Sequence, residues 1–290
     1  MIPELSLWRR SAIVFLAAVT ALFGLGLVCE PPPSQAFRDF NLQRVRAFRA
    51  EHEPRHPRTL RVVLLGSSRL KNATLAPDAF DEVGETAEFE RIEAFRLVAN
   101  WAVFATFEPL LDDVRALRPD VYVIQMDLLG DEMARPLKVQ ISFNYLRWLV
   151  SGSGSWSWYD AEREQLARVC TDEQTPDQRL DRAEANLVID VESKSARRAR
   201  DFIRTAIADG ARVVLVSVPK TQAFERTLPS IREDMLASAR NLAAELPQVT
   251  VVPYAGVLSD EHFCDVTHLN DRGAAVYSRW LIDQIMPTRL

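Results

Sequence analysis

Short, mostly apolar runs recur along this chain, and most are separated by segments in which apolar residues return with helical spacing. The first is Arg61-Val62-Val63-Leu64-Leu65, a second lies near residues 95–99, and others occupy 121–124, 212–218 and 249–252. Runs of this length without alternation are typical of strands covered on both faces. Between them, residues 107–117, 193–209 and 231–245 read as helices, and a last helix follows Asn270 and carries Tyr277 and Trp280. Pro119 follows the first of these helices and Gly210 the second, residue types that commonly mark a helix end. Strands alternating with helices predict an α/β domain of three layers, with helices on both faces of a central parallel sheet. The ligand site of such a domain lies at the carboxyl ends of the strands.

A different pattern stands ahead of this one. Residues 11–29 are uncharged and mostly apolar, directly after Trp8-Arg9-Arg10. At about 1.5 Å per residue the segment just crosses a hydrocarbon core of about 30 Å. A helix packed on the surface of a domain would keep a polar face, and a cleaved signal peptide would need small residues where Gly26-Leu27-Val28 stands. An uncleaved, single-pass transmembrane anchor is therefore the expectation, with cleavage as its alternative. Arg9 and Arg10 abut the segment, whereas the next basic residue beyond it is Arg38. Positive charge close to a span is retained inside, so residues 1–10 are expected in the cytoplasm and the rest on the extracytoplasmic, periplasmic side. Arg38, Arg44, Arg46 and Arg49 pull the other way.

Residues 30–58 read as a stalk, opened by Pro31-Pro32-Pro33 and continued by a charged helix over 35–53. Residues 59–290 form the domain, with an insertion at 130–187 that fits no βα repeat. The insertion carries Ser151-Gly152-Ser153-Gly154-Ser155 and then Trp156, Trp158 and Tyr159. A lid, a platform for stacking sugar rings, and a helical insertion with its own small aromatic core are all consistent with that composition.

Composition narrows the functional classes. The chain has 290 residues, 48% hydrophobic and 26% charged, ordinary for one folded domain with an appendage. A net charge of -5 leaves no electrostatic footprint for nucleic acid. His52, His56, His262 and His268 show no metal-ligand spacing with carboxylates or cysteines, and Gly66 is not part of a phosphate loop. No metal or cofactor is expected. Of the three cysteines, Cys29 falls at the membrane edge, while Cys170 and Cys264 are left in the domain, either as an exported disulfide or as two thiols.

Two motifs near opposite ends of the domain carry the chemistry. Gly66-Ser67-Ser68 follows the first strand, and Asp265-Val266-Thr267-His268-Leu269-Asn270 precedes the last helix. A hydroxyl becomes a useful nucleophile at neutral pH when an imidazole takes its proton, and a carboxylate fixes that imidazole's tautomer. Each motif alone also reads as a structural cap: a serine at a βα turn, an aspartate before a helix. Ser68, His268 and Asp265 are the candidate catalytic set, with Ser67 as the alternative nucleophile one residue away. The α/β-hydrolase elbow is excluded, because Leu70 stands where Gly-x-Ser-x-Gly requires a second glycine.

A Gly-x-Ser motif closing strand one and a C-terminal Asp-x-x-His loop resemble the SGNH, or GDSL-like, hydrolase superfamily over residues 60–286. The resemblance implies a flavodoxin-like three-layer fold, Ser68 as nucleophile, His268 as base and Asp265 as acid. It also implies an oxyanion hole formed by the serine's own N–H, a residue after strand two and one after strand three. Here the second block corresponds to Asn100-Trp101-Ala102 and the third to Gln125-Met126-Asp127-Leu128, which lacks the family's Gly-x-Asn. Ser68, Asn100, Ala102 and Gln125 are the resulting oxyanion candidates. Anchored members similar to this chain act in acyl modification of envelope polysaccharides. The implied function is thus a serine esterase or O-acyltransferase on acyl, chiefly acetyl, esters of an envelope glycan, with a partner membrane acyltransferase as a further expectation. The missing Gly-x-Asn block favours a rival, a non-catalytic envelope binding or assembly protein on the same fold.

Overall fold

A computed structural model of the chain describes residues 20, 35–56, 58–77, 79–80, 89–100, 102–133, 187–227 and 229–286. The apolar segment 11–29, apart from Thr20, and most of the insertion, including Cys170, Trp156, Trp158 and Tyr159, lie outside the described residues. Among the described residues no helix is long and apolar enough to cross a membrane.

The domain opens with α1 (Gln35–Glu51), followed by β1 (Thr59–Ser67), α2 (Ser68–Ala73) and β2 (Arg91–Ala99). A 3-10 helix (Phe104–Leu110) and the short α3 (Leu111–Arg115) lead to β3 (Val121–Gln125). After a second 3-10 turn come β4 (Asp131–Met133), β5 (Leu187–Ile189), α4 (Lys194–Ala208) and β6 (Arg212–Val216). The chain then forms α5 (Gln222–Thr227), α6 (Pro229–Glu245), β7 (Val249–Val252) and α7 (Asp271–Ile285).

Five strands pair in the order β2-β1-β3-β6-β7, all parallel. The order reverses at β1, and ligands bind such sheets outside the carboxyl ends next to that reversal. Alternate strand residues divide the core in two. Val63, Leu65, Phe95, Leu97, Tyr122 and Ile124 pack on one face with residues of α1, α4 and α6. Leu60, Val62, Leu64, Val121 and Val123 pack on the other with Leu70 of α2 and Tyr277, Leu281 and Ile285 of α7. Both faces are covered, which is why the central strands β1, β3 and β6 are mostly apolar in the sequence.

Three local expectations change. The segment expected as one helix over 107–117 is a 3-10 helix containing Pro109 followed by a single α turn; proline has no N–H for the α ladder. The helix read as a stalk lies against the domain, with Phe37 and Val45 buried and Arg44 donating to the Arg96 carbonyl at 3.1 Å. The insertion is bracketed by β4 and β5, which pair antiparallel and hold its two ends together.

At the amino edge of the sheet, Arg61 and Glu93 face each other across the β1–β2 register, their side chains 2% and 3% exposed. Arg61 donates to Glu93 at 3.0 and 2.9 Å, to the Leu117 carbonyl at 2.7 Å and to the His52 carbonyl at 2.9 Å. Removing one member of such a pair leaves an uncompensated buried charge, so Glu93→Gln is expected to destabilise the domain by about 3–5 kcal/mol. A urea titration reads this as a lowered midpoint at unchanged slope.

Candidate active site

β1 ends in a sharp turn that the sequence permits only through Gly66. A Cβ there would lie 2.5 Å from Leu70 Cβ and 3.0 Å from Gln125 Oε1. Ser67 is the N-cap of α2: its Oγ accepts from the Arg69 N–H at 3.3 Å. Its own N–H and hydroxyl both donate to Gln125 Oε1, at 2.9 and 3.0 Å. Ser67 is therefore buried and fully engaged, while Ser68, half-buried at the first helical position, faces the other way. The alternative nucleophile is thereby assigned a structural task.

Gln125 in turn donates from Nε2 to Asp127 Oδ2 at 2.8 Å. The same carboxylate pairs with the Arg69 guanidinium at 2.6 Å, the two side chains 4% and 11% exposed. Burial pushes the Asp127 carboxyl up, but Arg69, Lys220 and the Gln125 amide outweigh it and hold it below the usual carboxylate range. Ser67 and Arg69 flank Ser68, and both are fixed from β3 through Gln125 and Asp127.

The opposite wall is the loop between β7 and α7. Phe263 and Leu269 form an antiparallel bridge, and the Cys264 N–H donates to the His268 carbonyl at 2.9 Å. Asp265 organises what lies between. Its Oδ1 accepts from the backbone N–H of Thr267 at 2.7 Å and of His268 at 2.8 Å, while its Oδ2 accepts from His268 Nδ1 at 2.7 Å. One carboxylate thus folds the turn and orients the ring, which explains the three-residue spacing. With Nδ1–H donating to Asp265, Nε2 is the acceptor, and it lies 2.9 Å from Ser68 Oγ. Burial pushes the Asp265 carboxyl up; the hydrogen bond and field of His268 and the two backbone donors outweigh it and lower it overall.

Sequence reasoning missed three supports of this loop. Thr221, in the loop after β6, donates its N–H to the Val266 carbonyl at 3.0 Å. Asn270 caps α7, its Oδ1 accepting from the Arg272 and Gly273 N–H groups at 3.0 and 3.1 Å, while its amide donates to the Glu261 carbonyl at 2.6 Å. Gly273 allows the helix to approach, since a Cβ there would meet the His262 carbonyl at 2.3 Å. An asparagine before an apolar helical run was the legible signal for the cap; the other two are long-range contacts without a local signature.

The oxyanion candidates separate. The Ser68 N–H heads α2, where helical amides have no acceptor within the helix. Gln125 does not supply the expected donor, because its amide is engaged with Asp127 and its oxygen with Ser67. The Ala102 N–H is likewise directed back to the Ala99 carbonyl at 3.3 Å. Asn100 reaches the same edge, one residue beyond the Ser67–Ala99 pair of the β1–β2 register. Beside Asp127 a cavity of about 280 Å³ opens, lined by Met126, Val218, Lys220, Met235, Tyr254 and Leu258 among others; neither Ser68 nor His268 lines it. Among the described residues no cluster of histidine, cysteine and carboxylate side chains could hold a metal. Cys264 is buried beside Asp265, and Cys170, its partner in the disulfide alternative, lies outside the described residues.

No protein-family model and no curated protein matches the chain. Solved structures do. The chain is similar to a Bacteroides fragilis protein assigned as an acylhydrolase, at 16% identity over 84% of this chain and 95% of the other, with a TM-score of 0.45. It is also similar to the acetyl xylan esterase AlAXEase, at 14% identity, 78% and 100% coverage and a TM-score of 0.43. A third similar structure is TesA, at 12% identity, 77% and 97% coverage and a TM-score of 0.42. At these scores the likeness bears no weight in the functional reading, which stands on the residues themselves.

Two outcomes follow from this geometry. Gln125→Leu strands the buried N–H and hydroxyl of Ser67, at about 1–3 kcal/mol per unsatisfied donor. A lowered urea midpoint and slower turnover at Ser68 are expected together, whereas Ser67→Ala, which keeps the backbone bond, is milder on both.

The acid limb of stability follows from Asp127 and Asp265. Both are lower in the fold than the unfolded value of about 3.9, so both contribute stability that is complete above that value. That contribution is lost as the pH falls through their folded values. Urea midpoints should hold level from neutral pH to about pH 5 and drop below about pH 4, and Asp265→Asn should shallow the drop.

Proposed function

We propose that this chain is a membrane-anchored serine esterase or O-acyltransferase acting on ester-linked acyl groups, chiefly acetyl, of a cell-envelope glycan. The observation that carries the catalytic part is the unbroken relay from Ser68 Oγ to His268 Nε2 and from His268 Nδ1 to Asp265, at 2.9 and 2.7 Å. Three groups that must act together meet across a separation of 200 residues, at the carboxyl edge where ligands of such sheets bind.

In this reading Ser68 Oγ attacks the ester carbonyl carbon as His268 Nε2 takes the hydroxyl proton. Collapse of the tetrahedral intermediate breaks the bond to the leaving alcohol, which takes that proton from the imidazolium, and the acyl group stays on Ser68. A second hydroxyl then enters with the same imidazole as base: water completes hydrolysis, a sugar hydroxyl completes transfer. Asp265 holds the ring and stabilises its charged form without itself exchanging the proton. The Ser68 N–H serves the oxyanion. The anchor at 11–29, the periplasmic placement, the glycan and a partner membrane acyltransferase rest on the sequence pattern and the SGNH resemblance.

One observation favours the rival non-catalytic reading: the amides of Gln125 and Ala102 are directed away from the carbonyl position. A fluorophosphonate probe separates the two, since only an activated serine reacts readily. Labelling should occur and should vanish in Ser68→Ala. Ser68→Ala and His268→Ala should each lower kcat by several orders of magnitude, and the double variant should be no worse than either, because such residues act as a unit. An unlabelled wild-type protein, or labelling retained in Ser68→Ala, rejects the serine mechanism.

A further inference from the structure

The direction of α1 has a consequence for where the active site works. Near its start, the Phe37 ring lies 6.3 Å from Phe107, in the segment that follows the carboxyl end of β2. Further along, the Phe48 ring lies 5.4 Å from Phe95, in the middle of β2. At its end, the His52 carbonyl accepts from Arg61, near the start of β1, at 2.9 Å, and His52 Nε2 lies 3.3 Å from Arg91, the first residue of β2. α1 therefore runs antiparallel to the strands. Its first residue is at the carboxyl edge of the sheet, with Ser68 and His268, and its last is at the amino edge, about 25 Å away at 1.5 Å per residue.

Only residues 30–34 separate Cys29, the end of the proposed span, from Gln35. A chain of that length reaches at most about 20 Å when fully extended. The packed helix turns this short tether into an orientation: the edge bearing the catalytic residues is held near the bilayer and the opposite edge is held away from it. We infer that the catalytic edge faces the membrane and that the site takes acyl esters carried by an amphiphile in the bilayer surface, in preference to esters free in solution. The inference rests on the anchored reading given above. In chemical terms it makes a membrane-borne ester the acyl donor to Ser68, with water or a glycan hydroxyl as the second nucleophile.

The test uses the full chain in liposomes. Flotation after carbonate extraction reads the anchor, and hydrolysis of p-nitrophenyl acetate reads the serine chemistry, each independently of orientation. A short-chain acyl ester on a vesicle lipid reads the inference. Inserting a helical spacer of about twenty residues between Ser34 and Gln35 lifts the domain by about 30 Å. Turnover of the vesicle-borne ester should then fall about tenfold or more, through lost effective concentration, while p-nitrophenyl acetate turnover is unchanged. A fluorophore at Val257, in the loop after β7, should transfer energy to a headgroup acceptor more efficiently than one at Gln248, immediately before β7. Floated, active protein whose vesicle-ester turnover ignores the spacer, or in which Gln248 transfers as well as Val257, overturns the membrane-facing edge and leaves the serine reading intact. Protein that fails to float overturns the anchor and this inference together.

Discussion

The buried carboxylate of Asp127 sits at the end of β3 with the Arg69 guanidinium against it at 2.6 Å and the Gln125 amide at 2.8 Å. An ion pair this deep adds little net stability over an apolar pair of the same shape, but either partner alone is costly. The pair therefore constrains. Arg69 cannot leave Asp127 cheaply, Gln125 cannot rotate without losing Asp127, and Ser67 cannot move without losing Gln125. Ser68 lies between two fixed neighbours, and its hydroxyl is directed by the backbone rather than by its own packing. This is how a half-exposed serine at a turn comes to have one orientation.

The base side reaches the same end by other means. Asp265 has no buried cation to hold it; it is fixed by two backbone donors and by the ring it orients. The loop is closed by the Cys264–His268 backbone bond and tied to its neighbours through Thr221 and Asn270. Its rigidity is therefore distributed over several hydrogen bonds, those to the Asp265 carboxylate charge-assisted at about 1.5–3 kcal/mol net and the backbone ones at about 0.5–1.5 kcal/mol. The Ser68 side is fixed through one buried ion pair, the His268 side through one carboxylate and a set of backbone bonds.

Stability and chemistry occupy opposite edges of one sheet. The amino edge holds the Arg61–Glu93 pair and receives the end of α1; the carboxyl edge holds the candidate catalytic residues, the cavity beside Asp127 and the start of α1. Because α1 spans the sheet from edge to edge, whatever precedes it enters on the catalytic side.

Much of this was legible in the sequence. The alternation of apolar runs with helical segments determined an α/β domain with a parallel sheet, because strands covered on both faces must be continuously apolar. The two polar motifs singled out Ser68, Asp265 and His268 as candidates, because the turn after a strand and the cap before a helix are local features with local signals, and the fold brings the three side chains together. What only the tertiary structure decided depends on contacts between distant segments. Ser67 and Ser68 carry the same hydroxyl, and only the position of Gln125, 58 residues away, separates the one bound within the core from the one that meets His268. Gln125 read as an oxyanion donor because a strand sequence does not say which neighbour its terminal amide will meet. The helix expected over 35–53 read as a stalk because its many arginines outweigh Phe37, Val45 and Phe48 in composition, yet those few apolar residues fall on one face and pack on the sheet. Local signals fix which element forms; which edge it ends on, and which atoms it meets there, is fixed only when the elements pack.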